Sequence, residues 1–273
     1  MNNRTIMMKF IVILFLFFVY TSCKTDNKQE KSIKIYALMM CDLTSSVDSN
    51  LIKDVAHKAH DLLLALPQGS KVEAYPIDDN TYLNPIFSGE LPLLESDLDF
   101  HKDMFKGKLN ALAENLGNAI YLKYKDVNLN KSTQHASCII SSLETAYNFF
   151  KDKDKNTYRF ELIYFSDMIE QCSNSQAGSI FICSDRHIPN KESIIAQIEK
   201  KYNPNMNLKS LIDNNISMII TTGIMGDSKC LRSDEQKEIW QKIFSKVGYS
   251  QSDFASFHFR QGLPDRFSIS NSK

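Results

Sequence analysis

The feature that most constrains the fold is the run from Ile33 to Cys41 (IKIYALMMC), which is apolar on both of its alternating faces and ends abruptly at Asp42. A strand of this kind has no side suited to water, so it is typical of a parallel sheet that is covered on both faces. The run therefore predicts a strand that lies inside such a sheet.

Strand and helix signals alternate along the rest of the chain. The predicted strand Lys71–Ile77 contains Pro76, which suggests that it lies near an edge of the sheet. The first predicted helix, Leu51–Leu66, ends at Pro67 and Gly69. The alternation implies an α/β fold with a doubly wound, mainly parallel central sheet flanked by helices. The predicted strands are Lys71–Ile77, a short one around Ile86, Tyr158–Phe165, Ile216–Thr222 and Phe254–Arg260; the predicted helices are Leu51–Leu66, Asp99–Lys125, Ser137–Phe150, Lys191–Tyr202 and Ser233–Val247; loops are expected over Val127–Ala136 and Ile169–Pro189.

The N-terminus has the three parts of a secretory signal: positive charge, an apolar run over Phe10–Tyr20, and small residues before Cys23. The apolar run is about half of the roughly 20 residues that a membrane-spanning helix needs, so a stable transmembrane helix is the weaker interpretation. The sequence predicts export, with residues 1–22 as the signal peptide.

The end of this signal, Tyr20-Thr21-Ser22-Cys23, resembles the lipobox of bacterial lipoproteins, although that family usually has an aliphatic residue where Tyr20 stands. The resemblance implies that Cys23 is acylated and becomes the first mature residue; an ordinary cleaved signal is the alternative. Residues 23–31 are polar and charged and predict a flexible tether. The expected location is the cell envelope, on the periplasmic or cell-surface side of a membrane.

The length suits one large domain or two small ones. We assign one domain to residues 32–262, followed by a C-terminal tail over 263–273. The chain has 273 residues and no net charge, and it has no basic patch interleaved with aromatic residues, so nucleic acid is not an expected partner. An exported chain is free to form disulfides. Cys172 and Cys183 are a candidate pair, while Cys41 and Cys138 are interpreted as small core residues.

Three segments place oxygen-bearing side chains at the predicted ends of strands, where open α/β sheets bind ligands. Asp42, Thr44 and Ser46 follow the first strand, Ser137 opens a later helix, and Asp167 closes the strand Tyr158–Phe165. Any one of them alone is explained by helix capping, since Ser, Thr and Asp cap helices widely. Together, and in this order, they are more specific.

These segments resemble the signature of von Willebrand factor type A domains, which are related to integrin I-domains. The family has Asp-x-Ser-x-Ser after its first strand, a Thr just ahead of a later helix, and an Asp at the end of its fourth strand. Here the first element has Thr44 in the middle, and Ser137 stands for the later Thr. Tyr164-Phe165-Ser166-Asp167 matches the last element, with Met168 where Gly is common. The resemblance covers most of the mature chain and implies a Rossmann-like fold.

The resemblance also implies a metal-ion-dependent adhesion site. Its hydroxyl ligands would be Thr44, Ser46 and Ser137, while Asp42 and Asp167 would bind directly or through water. Hard oxygen ligands suit Mg²⁺, with Mn²⁺ or Ca²⁺ as substitutes. In the family, an open coordination position accepts an acidic side chain of a protein partner. The expected function is therefore metal-dependent protein binding by a lipid-anchored domain, without catalysis.

Other functions are weaker on the same residues. An exported metal-dependent hydrolase would use the same strand-end cleft, and a metal-free scaffold would use none of it. A phosphatase of the haloacid dehalogenase type needs an Asp where Thr44 stands. His57 and His60 lie three residues apart on a predicted helix, and a solvated or packed pair is favoured there over a metal site.

Overall fold

The computed structural model of the chain describes residues 34–44, 49–77, 84–129, 137–166, 192–193, 195–196, 217–221 and 238–242. The chain divides into two compact units between Ser32 and Ile33, and all of the described residues belong to the second. The predicted signal, tether and C-terminal tail lie outside the described residues, as does the predicted strand Phe254–Arg260. Of the last two predicted helices, only 192–193, 195–196 and 238–242 are described, and they are helical.

The described strands form one sheet in the order β3-β2-β1-β4-β5. Strand β1 lies between β2 and β4 and is parallel to both, and β5 is parallel to β4, whereas β3 runs antiparallel beside β2. The fold is therefore α/β with a mainly parallel sheet. The strand bounds are β1 Lys34–Asp42, β2 Lys71–Ile77, β3 Phe87–Glu90, β4 Tyr158–Phe165 and β5 Ser217–Thr221.

Helices cover both faces of this sheet, which explains why β1 is apolar from Ile35 to Cys41. Helices α1 (Ser49–Ala65) and α2 (Asp99–Leu129) share a buried core with the β1 residues Ala37, Met39 and Cys41. Helix α3 (Ile139–Phe150) lies on the opposite face, where Phe149 packs edge-on against Tyr36 and Phe150 contacts Phe160. The strand that the sequence predicts to be buried on both faces is confirmed.

Helix α1 is held on the sheet by apolar side chains that recur at helical spacing and are buried. They are Ile52, Val55, Ala59, Leu62 and Leu63. The turn that follows uses Gly69 at a φ of 70°, a left-handed conformation that glycine adopts without steric cost. The predicted end of this helix is thus confirmed, and the chain is returned directly to β2.

The prediction that Lys71–Ile77 lies near an edge is confirmed, because β2 is the second of the described strands from one end of the sheet, with the short β3 outside it. The reason that Pro76 is tolerated is local. The pairing with β3 extends only from Lys71 to Ala74, so Pro76 is paired with Cys41 of β1 but lies beyond the β3 ladder. A residue without a backbone N–H is acceptable at such a position.

Two helix boundaries also differ from the prediction. Helix α2 continues to Leu129, so the loop expected from Val127 starts later; Val127 is buried, and Lys123 pairs with Asp126 across the last turns. Helix α3 begins at Ile139, with Cys138 as its N-cap residue and no capping bond from that side chain. Ser137 therefore precedes the helix and is available for another role.

The strand order reverses at β1. The chain passes from β1 outward to β2 and β3, and then returns to place β4 on the other side of β1. In an open α/β sheet, the crevice for a ligand lies outside the carboxyl ends of the strands at such a reversal. Among the described residues, no helix is both long and apolar enough to cross a membrane.

Candidate functional site

The crevice at the carboxyl ends of β1 and β4 brings together four polar side chains. Asp42 is the last residue of β1, and Thr44 lies two residues further on. Cys41 is in register with Phe165, so Ser166, directly after β4, lies beside Asp42. Ser137 reaches the same place from the loop ahead of α3. All four are buried.

Three oxygen atoms of this group form a compact triangle. Thr44 Oγ1 lies 2.8 Å from Asp42 Oδ1, Ser137 Oγ lies 3.2 Å from the same atom, and the two hydroxyl oxygens are 3.0 Å apart. The backbone N–H of Thr44 also donates to Asp42 Oδ1, at 3.2 Å. We call Asp42 Oδ1, Thr44 Oγ1 and Ser137 Oγ the oxygen triangle.

The second carboxylate oxygen of Asp42 also has a partner. The hydroxyl of Ser166 donates to Asp42 Oδ2 at 3.0 Å. Asp42 therefore accepts hydrogen bonds on both oxygens from residues of three separate chain segments. A carboxylate held from several directions has little freedom to rotate, so its position in the crevice is defined.

The carboxyl group of Asp42 is in an unfavourable environment for a charge. Its exposed fraction is 1%. Burial raises the pKa of this carboxyl, while the hydrogen bonds from Thr44, Ser166 and Ser137 oppose the rise. Within the described residues no cation pairs with it, and a buried carboxylate without a cation is costly. A bound metal ion would supply the missing positive charge.

The oxygen triangle fits a divalent ion of the magnesium type. With metal–oxygen distances of 2.0–2.1 Å and octahedral geometry, adjacent ligand oxygens lie about 2.9 Å apart. The edges of the triangle, 2.8, 3.0 and 3.2 Å, are close to that spacing. One carboxylate and two hydroxyls are also a hard, all-oxygen donor set. Without a metal, the same spacing serves hydrogen bonds, which keep the three atoms together.

Of the five metal ligands predicted from the sequence, the structure brings three together: Asp42, Thr44 and Ser137. Ser46 and Asp167 lie outside the described residues, as does the predicted lipidation site Cys23. The capping explanation for Ser137 is wrong, because α3 starts two residues later and the Ser137 hydroxyl donates to Asp42 instead.

Ser166 is not among the predicted ligands, and its hydrogen bond to Asp42 is not predicted from the sequence. The sequence signal for it is its position directly after β4. Once β4 is known to pair in parallel with β1, that position places Ser166 beside Asp42. Strand order is a long-range property, so the sequence pattern alone does not assign this partner.

The two cysteines next to the site differ from each other. Cys41, next to Asp42, is a free thiol in the core, and burial raises its pKa, as does the neighbouring Asp42. Cys138, next to Ser137, is disulfide-bonded, to a cysteine outside the described residues. The interpretation of both as small core residues therefore holds for Cys41, while Cys138 is buried but also cross-linked. The proposed pair Cys172 and Cys183 lies outside the described residues.

The start of α3 is fixed to the sheet close to Ser137. The hydroxyl of Ser142, in the first turns of α3, lies 3.1 Å from the phenol oxygen of Tyr164 in β4, and both side chains are buried. This polar contact across an otherwise apolar layer sets the position of α3 along the sheet. Ser137 lies two residues before this anchored helix and next to the disulfide-bonded Cys138.

No known protein-family profile matches the chain, and no curated protein does. Among solved structures, the chain is similar to the proximal thread matrix protein 1 of the mussel byssus, at 10% identity and a TM-score of 0.36, over 77% of this chain and 41% of that one. It is also similar to the human COPII-coat protein Sec24c, at 9% identity and a TM-score of 0.40, over 79% of this chain and 32% of that one. The chain thus spans less than half of either protein, and similarity at this level carries no functional inference.

Proposed function

We propose that this protein is a membrane-anchored lipoprotein of the cell envelope, whose von Willebrand A-like domain binds a divalent metal and a protein partner through a metal-ion-dependent adhesion site. The observation that supports this most is the oxygen triangle. Two segments far apart in the sequence bring a buried carboxylate and two hydroxyls to the spacing of magnesium ligands. Mg²⁺ is the expected ion, with Mn²⁺ or Ca²⁺ as substitutes.

The sheet supports the same proposal. A mainly parallel sheet in the order β3-β2-β1-β4-β5, with one antiparallel strand at its edge, has its strand reversal at β1 and β4. Asp42, Thr44 and Ser137 lie at this reversal, which is the expected ligand position in an open α/β sheet. The finer, von Willebrand A-like arrangement is part of the proposal.

The residues of the chain would act by holding and orienting. Ser166 and the backbone N–H of Thr44 hold the Asp42 carboxylate in place. The hydroxyls of Thr44 and Ser137 would turn their protons away from Asp42 and present their oxygen lone pairs. Mg²⁺, when bound, supplies a positive charge with a free coordination position for an acidic side chain of the partner. Ser46 and Asp167 would complete the site, directly or through water.

The lipid anchor at Cys23 would determine where this binding occurs. The predicted tether over residues 23–31 is polar and short, so the binding domain would remain near the membrane surface. A partner would then be retained at the envelope. The supporting observations are the tripartite signal and the lipobox-like Tyr20-Thr21-Ser22-Cys23.

The test of the metal site is a calorimetric titration of the purified full chain with Mg²⁺. The wild type should bind Mg²⁺, and Asp42→Ala should not, because it removes the only charged ligand of the triangle. Asp99→Asn, which removes a carboxylate that is 99% exposed, is the matched control and should bind like the wild type. Equal binding by Asp42→Ala and wild type would show that the site is assigned incorrectly.

The test of partner binding uses the same variants. Envelope proteins should be retained on the immobilised wild type in Mg²⁺, released by a chelator, and absent from immobilised Asp42→Ala. Retention that persists after chelation would contradict binding through the metal. A substrate screen with and without Mg²⁺ addresses the alternative of an exported hydrolase.

A further inference from the structure

A second group of metal-ligand side chains lies on the exposed side of α1, in His57, His60 and Asp61. His57 is three and four residues before His60 and Asp61, spacings that place side chains next to each other on a helix. His57 Nε2 lies 3.5 Å from Asp61 Oδ2, and His60 Nδ1 lies 3.1 Å from Asp61 Oδ1. The two imidazole rings are stacked, with centroids 6.1 Å apart and planes 10° from parallel. Each carboxylate oxygen of Asp61 therefore faces one ring nitrogen.

These distances are close to those within a metal site. In tetrahedral zinc sites, ligand atoms at 2.0–2.2 Å from the ion lie about 3.3–3.5 Å from one another. The two measured separations, 3.1 and 3.5 Å, lie near that range, and all three ligand atoms lie within 4.8 Å of one another.

The donor set selects a different kind of ion from the oxygen triangle. Imidazole nitrogen suits zinc, copper and nickel, whereas Mg²⁺ prefers oxygen and gives up its water reluctantly. We propose that His57, His60 and Asp61 bind a divalent transition-metal ion, with Zn²⁺ as the reference, at a site independent of the oxygen triangle. From the sequence alone, a solvated or packed histidine pair is favoured over a metal site. The structure adds Asp61, which lies next to both rings and would supply the third ligand.

The surroundings leave room for the ion and its remaining ligands. The side chains of His57, His60 and Asp61 are 73%, 28% and 48% exposed. His57 also lines an open cleft of about 560 Å³ between α1 and α2, with Glu114 and Tyr121 on its other wall. Three protein ligands leave the fourth tetrahedral position open, as in exchangeable zinc sites rather than closed structural ones.

Zn²⁺ titration of the full chain against a competing chromophoric chelator, in excess Mg²⁺, tests this proposal. The wild type should bind one equivalent more than His57→Ala/His60→Ala. Loss of a residue that only orients a ligand costs about 10–100-fold in metal affinity. Each single change, including Asp61→Asn, should therefore weaken this equivalent at least about tenfold. Unchanged Zn²⁺ affinity in the double variant, or in Asp61→Asn, would overturn the three-ligand site.

His101→Ala is the matched control. His101 is also a helical histidine near a carboxylate, with Nε2 3.9 Å from Glu95 Oε2, but no second histidine faces that carboxylate among the described residues. It should bind Zn²⁺ like the wild type. A loss in His101→Ala equal to the loss in the double variant would indicate unspecific surface binding and contradict the proposal.

A spectroscopic measurement identifies the ligands directly. With one equivalent of Cu²⁺, the electron paramagnetic resonance spectrum of the wild type should show hyperfine lines from two imidazole nitrogens. These lines should disappear in His57→Ala/His60→Ala and persist in Asp42→Ala. Circular dichroism of the variants should match the wild type. Nitrogen lines that are the same in the double variant would place the ion elsewhere and overturn the assignment.

Discussion

The oxygen triangle and the His57–His60–Asp61 group are two candidate metal sites built in opposite ways. The triangle is buried, contains only oxygen, and joins segments that are 93 and 95 residues apart. The helix group is exposed, contains two nitrogen donors, and lies within a single turn of α1. The first depends on the whole sheet being folded, whereas the second needs only one helix. The difference teaches that burial and sequence separation make a site specific, while local spacing makes it easy to form.

The largest expected effect is that each site can lose its metal without any change in metal binding at the other site. Asp42→Ala should lose Mg²⁺ binding and keep the Zn²⁺ equivalent of the helix group, and His57→Ala/His60→Ala should show the reverse. Calorimetric titration of both variants with both metals measures this, with affinity changes of at least about 100-fold at the changed site, because a ligand itself is lost. If Asp42→Ala weakens both metals equally, the sites are coupled and the comparison fails.

The next effect is on the stability of the metal-free fold. Ser166→Ala removes a buried hydroxyl that donates to Asp42 Oδ2. Hydrogen bonds to charged groups contribute about 1.5–3 kcal/mol, so the free energy of unfolding should fall by about that much. Urea denaturation in the presence of a chelator measures it. Ser88→Ala, at an exposed position of β3, is the control and should leave the midpoint unchanged. An equal loss of unfolding free energy in both variants would contradict a stabilising role of the Ser166 hydrogen bond.

A third effect is the pH dependence that burial gives to the triangle. Burial raises the pKa of Asp42 above its ordinary value of 3.8. In that case the native state binds the proton more tightly than the unfolded state, so the contribution of Asp42 to stability is fully present below pH 3.8 and is lost as the pH rises through the folded pKa. Asp42→Asn, which cannot ionise, should not show this loss.

Denaturation midpoints of wild type and Asp42→Asn, measured without metal from pH 3.5 to pH 8, follow this difference. The variant should gain relative to the wild type as the pH rises. Addition of Mg²⁺ should reverse the order at pH 8, because only the wild type has the charged ligand. A constant difference across the range would mean that Asp42 does not titrate differently in the folded protein.

The smallest effect is expected at the helix group. Without metal, Asp61→Asn and His57→Ala/His60→Ala should change the free energy of unfolding by no more than about 0.5 kcal/mol, because the side chains are largely exposed and exposed pairs contribute little. Urea denaturation measures this as well. If these variants lose as much unfolding free energy as Ser166→Ala, the helix group stabilises the fold, and in this respect it does not differ from the triangle.

The sequence predicts the sheet well because apolar runs and helical spacing are local signals. The strand Ile33–Cys41 and the end of α1 before Gly69 follow from such signals. The identity of the strand outside β2 does not, because the pairing of β3 depends on the complete sheet. The end of α2 is missed for a similar reason: Val127 is helical because it is buried, and burial is not visible in a window containing Asp126 and Asn128.

The candidate site follows the same division. Asp42, Thr44 and Ser137 are predictable as a group from their order along the chain, and the structure brings the three together. Ser166 was missed as a partner of Asp42, because that contact exists only when β4 lies beside β1. Asp61 is predictable from local spacing, because it lies four residues after His57 on the same helix.

The reactivity of the Cys41 thiol shows whether the buried site next to it is open or closed. Its thiol is fully enclosed and lies one residue before Asp42. In an oxidising compartment, enclosure protects it from the oxidant and from exchange with the disulfide at Cys138. A thiol-reactive dye should therefore label Cys41 only in molecules that have opened around β1. The rate of that labelling therefore measures how long the region around β1 stays closed.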